Sequence, residues 1–192
     1  MQTTLESSIT FSGIGLHSGR PVTICIKPAP KNHGILFRRK DIEIGNPIVR
    51  ARWDYVSETT LCTRVRNEDG TAISTIEHLM AALAGCGVSN ALIELDSEEV
   101  PILDGSAAPF VKGFLETGLK IISSSSRIIR ITRPVMFGNQ FGWARLSPHQ
   151  RPEMEYFIDF DDLVIGKQSK ILNMSNGSFV KELCSSRTFC SN

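Results

Sequence analysis

The sequence predicts an α+β protein built in two units. Short segments of alternating apolar and polar residues, bounded by Gly, Pro and Asn, recur along the chain and read as strands and turns. Before residue 122 only two stretches carry helical spacing, one from Ser74 to Gly85 and one after Asp104. The serine run Ser123-Ser124-Ser125-Ser126 then reads as a linker. The expected organisation is a first domain over 1–122, a linker over 123–126 and a second domain over 127–192. The second is roughly half the length of the first, near the size at which a core becomes marginal. It offers strands and one short helix to cover them, so it reads as incomplete.

In order, Ser8 to Leu16 is expected as a strand entering a Gly-rich turn, and Val22 to Ile26 as a half-buried strand ending at Pro28. Ile35 to Arg39 is a further short strand, and Asn46-Pro47 a turn. Leu61 to Val65 and the turn Asn67-Glu68-Asp69-Gly70 suggest a hairpin leading into the first helix. In that helix Ser74 is the expected N-cap and Glu77 completes a capping box. Ile76, Leu79, Met80 and Leu83 fall on one face, with Gly85 or Gly87 as the stop. Ala91 to Leu95 reads as a strand. Asp104-Gly105-Ser106 turns into a second helix with Phe110, Val111, Phe114 and Leu115 apolar, Pro109 in its first turn and Gly118 closing it. Beyond the serines, Arg127 to Ile131, Phe141 to Leu146 and Met154 to Phe160 are expected strands. Asn176-Gly177-Ser178 is expected to cap a short helix carrying Phe179, Val180 and Leu183.

Composition narrows the function classes. A hydrophobic content of 41% suffices for a packed core, and a net charge of +1 gives no pull toward nucleic acid or an anionic membrane. The N-terminus lacks the basic and apolar regions of a signal peptide, and no apolar run approaches the ~18 residues of a membrane span. The five cysteines (Cys25, Cys62, Cys86, Cys184 and Cys190) are scattered without a C-x-x-C, which argues against a disulfide framework or zinc ribbon and for thiols in a reducing compartment.

The chemistry centres on Glu77-His78 in the first helical turn. The helix N-terminus favours an ionised Glu and a neutral His. A neutral imidazole can bind a metal, and a carboxylate beside it can take a proton from bound water. The same two residues also read simply as a cap and a half-buried polar neighbour, because a lone E-H lacks the second ligand of H-E-x-x-H.

Ser74 to Asn90, S-T-I-E-H-L-M-A-A-L-A-G-C-G-V-S-N, closely resembles the signature of the UDP-3-O-acyl-N-acetylglucosamine deacetylases, zinc amidases of lipid A synthesis. Ser12 to Gly19, Thr60-Leu61-Cys62-Thr63 and Asp104 to Phe110 match the same family in the same order, and the likeness runs over essentially the whole chain. The resemblance implies two similar two-layer domains, each packing helices on a mainly antiparallel sheet, the second incomplete here. It implies hydrolysis of the N-acetyl group of UDP-3-O-(3-hydroxyacyl)-N-acetylglucosamine with Zn2+, in the cytoplasm. Residue by residue it makes His78 a zinc ligand, Glu77 the general base and Thr188 a donor to the tetrahedral oxyanion. Leu61 and Cys62 match a loop beside the metal, Asp159 and Phe160 a segment lining the hexosamine site, and Phe189 follows Thr188 in the matched S-R-T-F; the resemblance makes these five the substrate-binding residues. Without the family, Thr188 reads as a loop hydroxyl, Asp159 as a strand-end acid, and Phe160 and Cys62 as buried apolar groups.

Two further zinc ligands and a catalytic His belong to family motifs, chiefly H-K-x-x-D-x-x-G-D, that this sequence does not contain. His17, in the G-I-G-L-H-S-G turn, is not a ligand in the family, and His33 and His149 read as turn residues. The zinc site is therefore expected to be incomplete. The alternatives are an inactive truncated remnant or one half of a split enzyme that needs a complementing C-terminal fragment. A nucleic-acid-binding module is the weakest reading, given the charge and an aromatic content of 7%. No stable membrane insertion is expected.

Overall fold

Alternation in the first unit translates directly into a sheet with one buried face. The computed structural model describes residues 1–174 and 177–188. They fall into two compact units, Met1–Ser125 together with the described residues from Val180 on, and Ser126–Phe179. The break thus lies inside the serine run, but residues 180–188 group with the first unit, where the sequence placed them in the second. Mixed strands and helices make this an α+β protein, as the sequence predicts.

In chain order the first unit contains β1 (Gln2–Leu5), β2 (Ile9–Ile14), β3 (Pro21–Pro28), β4 (Ile35–Arg39), β5 (Ile48–Arg50), β6 (Val56–Glu58), β7 (Arg64–Arg66) and β8 (Ala72–Ile73). There follow α1 (Glu77–Gly85), β9 (Ala91–Leu95), α2 (Ala108–Thr117) and β10 (Leu119–Ile122). The main sheet has the order β2-β3-β9-β4-β5 and is antiparallel except for the β4–β9 pair. Val22, Ile24 and Ile26 of β3, Ile93 and Leu95 of β9, Phe37 of β4 and Val49 of β5 are buried, and the intervening residues face outward, as a period of two requires. On the outward side Glu94 pairs with Lys27 at 2.7 Å and Arg38 at 3.4 Å.

The helices supply the other layer. Leu79, Ala82 and Leu83 of α1 and Phe110, Val111 and Phe114 of α2 are buried. The Phe110 ring meets Phe11 of β2 edge-on at 5.0 Å. Gly113 permits this approach: a Cβ there would lie 2.6 Å from both Ile9 and Phe11. Pro109 sits in the first turn of α2, and Gly118 ends it at φ 88°. Leu115, expected on the apolar face, is 55% exposed, because the buried stripe is only wide enough for its neighbours. Two short sheets complete the unit, β6-β7-β8 and β1-β10. The β7–β8 hairpin turns at Asn67–Gly70 as expected.

The second unit contains β11 (Val135–Asn139), β12 (Gly142–Leu146), β13 (Glu153–Asp159) and β14 (Lys167–Asn173), paired as two separate antiparallel hairpins. The short helix α3 (Ser178–Glu182) begins at its end. The expected strand at Arg127–Ile131 does not form: no neighbouring strand pairs with it, and Ile128 and Ile129 are exposed. Asn176, expected in the cap of α3, lies outside the described residues. Among the described residues no helix is long and apolar enough to cross a membrane.

Candidate functional site

The turn preceding α1 is not the capping box the sequence suggests. Ser74 forms a parallel bridge with Glu99, donating its N–H to Glu98 O and accepting from Val100 N–H. Thr75 then takes φ 57°, a costly conformation for a β-branched residue. The helix begins only at Glu77, and no side chain caps it. Glu77 instead uses its carboxylate on another segment, accepting the Thr63 N–H at 2.9 Å. Ile76 N–H reaches Thr63 O at 3.4 Å, so the turn grips Thr63 from both sides.

That grip positions the Thr60–Thr63 loop. Leu61 stands at φ 62° with its side chain 85% exposed, and Cys62 is a half-buried free thiol. Both line a cleft of about 300 Å³, together with His17, Ser18, Arg64 and Glu99. Glu77 and His78 do not line this cleft; they connect to it through the loop that Glu77 holds. Both are half-buried, and no hydrogen bond engages the His78 imidazole among the described residues.

The far wall of the cleft is organised by a residue the sequence reading missed. Glu99 is 1% exposed. Its oxygens accept from the backbone N–H of His17 at 3.0 Å and of Ser18 at 2.8 Å, and from the Thr75 hydroxyl at 2.7 Å. Burial pushes its carboxyl up, but the donors from His17, Ser18 and Thr75 together outweigh burial and hold it below the ordinary value. A Glu preceding Val-Pro carries no pattern that marks it; only the fold brings it to the G-I-G-L-H-S-G turn.

Thr188 is placed by the second motif turn. Its N–H donates to Gly105 O at 2.9 Å, and Arg187 lies 3.7 Å from Asp104. Asp104 accepts from the Ser106 backbone N–H and hydroxyl, and the Ser106 hydroxyl foremost lowers its carboxyl. No hydrogen bond joins Thr188 to Glu77 or His78 among the described residues. Asp159 and Phe160 belong to the second unit, where Asp159 pairs with Lys167 at 3.2 Å and Phe160 N–H bonds Gly166 O. Phe160 is 43% exposed rather than a core residue. Phe189 lies outside the described residues. His33 and His149 bond nearby carbonyls within their turns.

Among the described residues no three His, Cys, Asp or Glu side chains are grouped to hold a metal ion. His78 is a single donor, whereas a catalytic zinc usually takes three protein ligands. The described residues therefore supply no complete zinc site, and His78 alone among them is placed as a single donor.

Glu99 and Asp104 share a pH signature with Asp41, whose carboxyl is lowered foremost by Arg39, and Glu94, lowered foremost by Lys27. All four have folded values depressed below the unfolded ones. Their contribution to stability is complete above the ordinary carboxylate range and is lost as pH falls through it. Denaturation midpoints measured from pH 7 downward are expected to hold to about pH 5 and to fall below about pH 4.

The profile of the UDP-3-O-acyl N-acetylglycosamine deacetylase family matches residues 2–192. The chain is 42% identical over 190 residues to the UDP-3-O-acyl-N-acetylglucosamine deacetylase of Shewanella frigidimarina, covering 98% of this chain and 62% of that protein. It is 42% identical to the protein of the same name from Idiomarina loihiensis, and 40% to that of Pseudoalteromonas atlantica, at the same coverage. The chain thus spans 62% of the length of these curated relatives. With the family profile running over nearly every residue, and relatives of that name 40–42% identical along 98% of its length, the chain belongs to the UDP-3-O-acyl N-acetylglycosamine deacetylase family.

Proposed function

We propose that this chain contributes the general base and one metal ligand to an amidase that removes the N-acetyl group of UDP-3-O-(3-hydroxyacyl)-N-acetylglucosamine, in the lipid A pathway. The observation that carries the reading is the pair at the start of α1: a carboxylate held in place by the Thr63 N–H, beside an imidazole with no hydrogen bond among the described residues. In this assignment Glu77 takes a proton from the attacking water and Thr188 donates to the oxyanion. His78 is one ligand of a zinc ion whose remaining ligands come from outside the described residues. Zinc, when bound, would acidify the water and polarise the amide.

A second reading is that activity requires a complementing fragment. The exposed apolar side chains of the second unit favour it, among them Phe137, Trp143, Tyr156, Phe157 and Ile171. One experiment addresses both. The purified chain is assayed for acetate release with added zinc, alone and mixed with the segment of a relative that follows the matched region. Chelator-sensitive release by the mixture alone supports the split form, and release by the chain alone supports a self-sufficient enzyme. No release from a folded, zinc-loaded mixture overturns the proposal.

A further inference from the structure

Glu99 is the most deeply buried carboxylate in the first unit, and the proposed chemistry does not use it. No Lys or Arg pairs with it among the described residues. Its charge is balanced by neutral donors: the backbone N–H groups of His17 and Ser18 and the Thr75 hydroxyl. Burying a carboxylate on such terms is expensive unless every oxygen is satisfied. Room for it exists because residue 15 is glycine: a Cβ there would overlap Glu99 Oε2 and Ser18 Oγ.

The donors come from two segments that are remote in sequence. His17 and Ser18 form the glycine-rich turn on one side of the cleft. Thr75 belongs to the turn before α1, two residues ahead of Glu77. The backbone repeats the connection, since Ser74 bridges Glu99 and Ile102 N–H bonds Ile14 O. Thr75 occupies the left-handed region, which strains a β-branched residue. Its hydroxyl bonds the ionised Glu99 at 2.7 Å, and such charge-assisted bonds are stronger than neutral ones, so this bond can offset the strain and hold the turn.

We propose that Glu99 is a positioning residue: its buried carboxylate clamps the 15–18 turn to Thr75, and the fixed Thr75 turn sets the reach of Glu77 to Thr63 and hence the Thr60–Thr63 loop. The clamp acts through Thr75, not on substrate. Its relevance to catalysis rests on the proposed role of Glu77, but its existence does not, so the two can fail separately.

The test is amide hydrogen exchange and NMR on the full chain, which needs no turnover. Three variants are compared: Glu99→Gln, Thr75→Val, which keeps the shape and loses the hydroxyl, and Thr75→Ser, which keeps the hydroxyl. Thr75→Val is expected to speed exchange at Thr63 N–H by roughly tenfold or more, as loss of one bond to a charged group implies. It should also shift the Glu77 carboxyl resonance. Thr75→Ser should restore both, with Ile24 and Ile93 in the main sheet unchanged throughout. Glu99→Gln should additionally release His17 and Ser18. If Glu99→Gln does not fold, the Thr75 pair decides. Unchanged Thr63 exchange in Thr75→Val, or a uniform rise across the main sheet that Thr75→Ser does not reverse, would overturn the proposal.

Discussion

Replacing Glu77 by Gln is expected to lower amide hydrolysis by about 10²–10⁴-fold, the usual contribution of a positioned general base. The substitution separates chemistry from architecture. A Gln side chain still offers a carbonyl oxygen to the Thr63 N–H, so the Thr60–Thr63 loop should stay where the wild-type carboxylate holds it. It can no longer accept a proton from water. The expected result is a fall in kcat with the thermal midpoint and KM nearly unchanged, in whichever preparation turns over. Glu77→Ala removes both functions and should raise KM as well. Equal kcat in Glu77→Gln and wild type would remove Glu77 from the role of base.

The largest expected loss of stability follows Phe114→Ala. Phe114 is 0% exposed and meets Phe11 edge-on at 6.4 Å. Truncating a buried Phe costs about 3–5 kcal/mol through lost transfer energy and the cavity left behind. For a unit of this size the midpoint should drop by about 10–25 °C. Leu115→Ala is the control, since its side chain is 55% exposed and the change should stay within about 0.5 kcal/mol. Comparable losses at the two positions, measured by urea or thermal denaturation, would mean that α2 packs by a different face.

Those neighbours show where sequence reading succeeds and where it stops. Val22, Ile24 and Ile26 announced a half-buried strand because period two is local information. Pro109 and Gly118 bracketed α2 for the same reason. Leu115 was placed with Phe114 because periodicity gives a direction, not the width of the surface waiting there. Ser74 and Glu77 matched a capping box, but Ser74 had a stronger claim in a bridge to Glu99, 25 residues away. Local propensity has no access to such a competitor. β1, β10, β11 and β14 were missed since short strands show little pattern until their partners are known, and Arg127–Ile131 was predicted as a strand with no partner to make it one. At the site, Glu77, His78, Leu61 and Cys62 were singled out through motif resemblance, and the structure joins the two segments through the Glu77–Thr63 bond. Glu99 was not, because nothing in E-V-P-I announces that the fold will bury it against two remote turns.

The pairing of β1 with β10 has a consequence for how the first unit is made. Gln2 lies opposite Ile122 and Leu5 opposite Leu119, so β1 leaves the ribosome long before β10, its partner, appears. At about 5–20 residues per second, that interval is roughly 6–25 s. Throughout it β1 is an open edge, with buried-type Leu5 and unpaired backbone groups exposed to any other nascent strand. Slow synthesis across residues 6–118 prolongs that exposure, and the same pairing brings Gln2 and Ile122 side by side. A linker joining residue 122 to residue 2, with new termini opened in the exposed loop at 43–46, should therefore give a permuted 2–122 segment that closes this edge early and aggregates less during expression than the unpermuted 2–122 segment.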